Sequence, residues 1–155
     1  MKAKDIIAPL IILYCGWNAK GLLFAWAYSP MEAFSWLAFL IWCLPLLYWI
    51  AYCLPALEIS SICLGSALLF SLMGNLGSVN TLHYFALSLA LASVAPQKMT
   101  TWVWMTGSIS WMPLLGWLGS HHFPHFIIAT KLLIAVAATT AMALGLINLR
   151  GENIQ

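Results

Sequence analysis

Five short polar or turn-forming stretches, SPME, PALE, GNLGSVN, APQK and GSHHFP, interrupt a chain that otherwise stays apolar for about twenty residues at a time. Proline and glycine in these stretches disfavour continued helix, and the runs between them have the length of membrane spans at about 20 residues each. The pattern predicts six helical spans, at about 6–28, 33–54, 57–74, 80–96, 101–119 and 124–149. Nothing in 1–155 is left over for a soluble domain or linker, so a single transmembrane domain is expected. Barrel strands would alternate apolar and polar positions over roughly ten residues, and no such alternation occurs. The expected fold is an all-α polytopic bundle, because backbone in lipid must satisfy its own hydrogen bonds.

Composition agrees with the pattern. The chain is 63% hydrophobic and 6% charged, with a mean hydropathy of +0.94. Soluble domains carry about 25% charged residues. A net charge of +2 without a basic cluster excludes a nucleic-acid partner. Asn18 and Lys20 interrupt the first apolar run just before AWA, so the first helix reads as an uncleaved span rather than a signal peptide. Cys15, Cys43, Cys53 and Cys63 form no C-x-x-C and read as small apolar packing residues.

Loop cations give the orientation. Lys2, Lys4, Lys98 and Arg150 all fall on one side of a six-span chain, which the positive-inside rule makes cytoplasmic together with both termini. The expected location is the cell inner membrane. Trp102 and Trp104 then mark the inner interface, and Trp26, Tyr28 and Trp117 the outer one. Small-residue stripes at Ala137, Ala141 and Gly145, and at Ser61 and Gly65, are the expected helix contacts. Pro45 and Pro113 are expected to kink the second and fifth spans.

This topology gathers the polar residues at the outer end. His121, His122 and His125 lie at the mouth of the sixth span, with His121 and His122 in the loop before Pro124. His83 is roughly one turn (about 5 Å) into the fourth span, Asn75 and Asn80 are expected to cap the neighbouring helices, and Glu32 lies in the first outer loop. Lys131 is shallow enough to snorkel outward and equally placed to serve a functional site, whereas Lys20 is deeper and reads as facing the bundle. Together Lys20, Glu32, His83, His122, His125 and Lys131 outline a wet vestibule that favours carboxylates or other anions. The histidines lack nearby thiols or acids, so no metal or cofactor is expected there.

From residue 66 the chain reads SALLFSLMGNLGSVNTLHYFALSLALAS, then ISWMPLLGWLGSHHFPHFIIATKLLIAVAATTAMALGL and INLRGENIQ. This order resembles the middle of exosortase/archaeosortase membrane proteins, in which a Met-Pro helix leads to a Phe-Pro-started helix rich in small residues. The resemblance implies a cysteine-protease or transpeptidase scaffold acting on membrane-anchored proteins through a Cys, Arg and His triad. That triad's motif has no counterpart here, so no catalytic residue carries over. The expectation is a truncated, split or non-catalytic member that holds or partners a membrane-anchored substrate, with the bilayer and a second subunit as further partners. The alternatives are a small carrier or permease subunit for an anionic solute and a haem-binding electron-transfer subunit.

Overall fold

The computed structural model describes residues 3–53, 59–96, 99–122 and 124–152, with the backbone alone at 3–5, 53, 120–122, 124 and 148–152. The fold is all-α. The helices are α1 (Ala3–Asn18), α2 (Gly21–Tyr28), α3 (Ser35–Cys53), α4 (Ser61–Gly77), α5 (Asn80–Ala92), α6 (Met99–Thr106), α7 (Pro113–His122) and α8 (Ile127–Glu152), with 3₁₀ turns at Pro30–Glu32, Gly107–Ser110 and Pro124–Phe126.

Two helical stretches, Pro30–Tyr52 and Ile127–Ile147, are long and apolar enough to cross a membrane. A third appears if Ile6–Asn18 and Gly21–Tyr28, bent by 44° at their junction, count as one. The other expected spans are shorter or broken: α4 has 17 residues and α5 has 13. The expected span 101–119 is divided at Gly107–Met112, where the chain tightens to 3₁₀ and Pro113 begins α7 instead of kinking a continuous helix. Proline suits that first position because its missing N–H would be unpaired there anyway. Of the orientation residues, Lys2 and Lys98 lie outside the described residues, as do the side chains of Lys4 and Arg150.

Pro45 sits inside α3 without ending it. A proline cannot donate to the carbonyl four residues back, which here belongs to Ile41. The Thr139 hydroxyl of α8 donates to that carbonyl at 2.8 Å. The defect of one helix is thus filled by a side chain of its neighbour, as apolar surroundings require.

Contacts fix the helix directions. Lys131 meets Glu32 and Ser35 while Thr139 meets Ile41, so α3 and α8 run parallel. Thr101 meets Met142, Gly107 meets Ala138 and Gly116 meets Lys131, so the α6–α7 segment runs antiparallel to α8. In the other half, Cys15 and Asn18 of α1 bond to Ala67 and Ser71 of parallel α4. Helix α5 returns antiparallel to α4, the hairpin being tied at its base by the Ser60 N–H to the Ser93 carbonyl at 2.9 Å.

The core holds Trp42, Trp104 and Trp111, none with any exposed surface. Trp42 and Trp104 stack at 4.1 Å with their planes 4° apart. Small residues set the backbone approaches, at Gly145 of the expected α8 stripe, where a Cβ would press on Thr100, and otherwise in other registers. On α8 the buried residues are Ile127, Lys131, Ala135, Ala138, Met142 and Leu146, while Ala137 faces outward. On α4 they include Ala67, Ser71 and Gly74, while Ser61 and Gly65 are exposed. Helices this rich in small residues offer several such stripes, and neighbour shape selects among them. Nor do Asn75 and Asn80 cap helices. Asn75 lies within α4 and donates to the Tyr14 hydroxyl at 3.1 Å, and the C-cap of α4 is Ser78 at φ 54°, a left-handed position that ends a helix. Asn80 is the first residue of α5, whose N-cap is Val79.

Candidate functional site

One charged cluster is buried, and the turn before α3 builds it. Ser29 is extended, as the residue before a proline must be, and Pro30 opens a single 3₁₀ turn that ends at Glu32. That turn points Glu32 inward, where it is 3% exposed, and places it three residues ahead of Ser35 at the start of α3. The Ser35 hydroxyl donates to Glu32 Oε2 at 2.7 Å. Lys131 reaches the same place from the first turns of α8 and is 2% exposed.

The Lys131 ammonium has three protons, and three acceptors meet it: Glu32 Oε2, Ser35 Oγ at 2.8 Å and the Met31 carbonyl at 3.4 Å. The charges cancel, the donors are matched, and a buried pair arranged this way avoids the cost of an uncompensated ion. Gly116 of α7 forms the ceiling. A Cβ there would collide with Glu32 Oε1 and stand 3.3 Å from Lys131 Nζ, so only glycine admits the carboxylate.

The expected vestibule is therefore divided. Glu32 and Lys131 come together, joined by Ser35, Gly116 and the Met31 carbonyl, which sequence reasoning missed. Glu32 stands three positions before Ser35, and that spacing was the one available hint. The open choice at Lys131 falls to the interior, and the expectation for Lys20 is corrected. Lys131 does not snorkel, because α8 turns it toward α3, and Lys20 does not face the bundle. Lys20 is exposed at the α1–α2 junction, with its ammonium 5.4 Å from the centre of the Trp17 ring. Lys131 is neutralised by Glu32 and Lys20 points away, so the two cations share no cavity.

His83 is buried in α5 against Gly74 of α4, where its Cε1 lies 2.7 Å from the position of a glycine Cβ and its Nδ1 has no hydrogen-bond partner. His125 is exposed in the Pro124–Phe126 turn. Helix α7 continues to His122, so His121 and His122 belong to its last turn rather than to a loop. Their side chains lie outside the described residues. No group of three or more His, Cys, Asp or Glu side chains converges among the described residues. Cys15, Cys43 and Cys63 are buried, and the Cys53 side chain lies outside the described residues.

No protein-family model, curated protein or solved structure matches this chain.

Proposed function

We propose that this chain is a multi-pass membrane scaffold, exosortase-like in layout but without that family's chemistry, which holds a membrane-anchored protein at the outer end of its bundle. The observation that carries this reading is the Glu32–Ser35–Lys131 cluster under Gly116, which joins α3, α7 and α8 at one end of the bundle. All three Lys131 donors are met within it, so it works as a fastening. Beside it the interior is filled by stacked tryptophans, each bonded to the other's backbone. A carrier for an anionic solute rocks or gates one group of helices against another around a midplane site, and the bonds that tie α3 to α6 and to α8 oppose such motion between them. That favours the scaffold over the carrier.

Helix directions are compatible with six passes and so with both termini on one side, and the positive-inside rule applied to Lys2, Lys4, Lys98 and Arg150 makes that side the cytoplasmic face of the inner membrane. Parallel α3 and α8 require an odd number of crossings between them, and α4, α5 and α6–α7 supply three. In this orientation the exposed aromatics Tyr28, Trp117 and Phe126 ring the outer end, where a partner's anchor would lie.

The test combines two readouts on the full chain. A photo-crosslinking amino acid at Trp117 or Phe126 in the native membrane is expected to give a discrete adduct with a lipid-anchored or single-span protein. Proteoliposomes exposed to small carboxylates are expected to show no current. A carboxylate-driven current lost in Glu32→Gln would replace the scaffold with the carrier.

A further inference from the structure

On the outward side of α1, Leu10, Leu13 and Trp17 are exposed in a row, and Phe24 continues it on α2. Lys20 stands within this apolar ridge, also exposed. Its ammonium has no hydrogen-bond or ion-pair partner among the described residues, and the Trp17 ring at 5.4 Å is the contact it makes. A ring face attracts a cation but leaves its three N–H donors unfilled. Lys20 also precedes Tyr28 by eight residues, about 12 Å along a helix at 1.5 Å per residue. In a membrane of ordinary thickness that depth lies within hydrocarbon, where an uncompensated ammonium is costly.

The same flank is short. Helices α4 and α5, with 17 and 13 residues, are about 25 and 20 Å long, against a hydrocarbon core of about 30 Å. Their outer end stands little more than a turn beyond Lys20: Asn18 bonds to Ser71, and α4 ends at Gly77, about 9 Å further along at 1.5 Å per residue. A bilayer meeting short helices thins to match them, which brings headgroups within reach of the Lys20 side chain. We propose that the α1–α2 junction binds the headgroup of an anionic phospholipid, with the Lys20 ammonium on its phosphate and Trp17 against its glycerol region. Charge decides the class. The ion pair among the described residues is that of Lys131 with Glu32, so Lys20 meets no acid among the described residues, and a zwitterionic headgroup would bring a second cation to it.

The inference rests on the membrane reading and is independent of the scaffold's partner. The test uses the purified full chain in nanodiscs of phosphatidylcholine mixed with phosphatidylglycerol, followed by native mass spectrometry of the lipids retained on release into detergent. The parent is expected to retain phosphatidylglycerol preferentially. Lys20→Gln is expected to lower that preference about five-fold, the contribution of one lysine near an anionic surface, and Lys20→Arg to keep it. All three should melt alike, because the side chain is exposed. Equal retention of the two lipids by the parent, or an unchanged preference in Lys20→Gln, would overturn the assignment. Release of the chain from membranes by alkaline carbonate would instead overturn the membrane reading, while the crosslinking and current readouts report on the scaffold separately.

Discussion

Trp42 and Trp104 each donate an indole N–H to the other's backbone carbonyl, both at 2.7 Å, across a separation of 62 residues. The exchange ties α3 to α6 by side chain and main chain at once, and the rings stack as they do so. A buried hydrogen bond contributes about 0.5–1.5 kcal/mol net. Trp42→Phe and Trp104→Phe are each expected to lower the melting temperature. The double mutant should cost less than the sum of the two, because the first substitution already separates the rings. Strict additivity in a melting cycle would show that the two bonds act independently.

The ion pair gives a sharper test. Removing one member of a buried pair costs about 3–5 kcal/mol, whereas replacing both with apolar residues of similar size is often neutral. Lys131→Leu should therefore be severe, Glu32→Gln milder because an amide can still accept from the ammonium, and Glu32→Leu with Lys131→Leu close to the parent. Lys20→Leu should leave stability unchanged. A Lys131→Leu variant that melts like the parent in detergent would mean that Glu32 has another partner.

Thr139→Val should expose the consequence of Pro45. It leaves the Ile41 carbonyl without the donor that now fills it, at a cost of about 1–3 kcal/mol. Pro45→Ala restores the helical N–H and should recover much of that loss in the double mutant. If Pro45→Ala gives no rescue, the threonine acts through packing rather than through its hydroxyl.

Two glycines on α4 should respond in opposite ways. A methyl at Gly65 meets nothing within 4 Å, so Gly65→Ala should be neutral or stabilise by up to about 1 kcal/mol through helix propensity. A methyl at Gly74 would press on the His83 ring, 2.7 Å from Cε1, and Gly74→Ala should cost about 1–3 kcal/mol by overpacking. Melting curves of the two variants side by side decide whether the α4–α5 interface runs through Gly74.

The proposed topology is tested by reporter fusions at Lys98 and Gly119, which should give opposite signals. Equal signals would remove the six-pass arrangement while leaving the helix packing as described.

What the sequence made legible was position along each helix. Helical backbone and the breaks near residues 30, 78, 96 and 123 follow from where apolar runs stop. What it concealed was which way each helix is turned. In water a helix advertises its inner face by its apolar stripe. Here lipid and core are equally apolar, and nothing in the residues around Lys20 and Lys131 says which lysine looks inward. The same blindness put the α8 stripe on Ala137 when the packed face holds Ala138, and left Ser35 and Gly116 unremarked beside the acid they surround.

The distance between Glu32 and Lys131 along the chain, 99 residues, also has a meaning in time. At roughly 5–20 residues per second of synthesis, the carboxylate leaves the ribosome about 5–20 s before its counter-ion does. Throughout that interval Glu32 is without Lys131, and the pair forms only once α8 has been made.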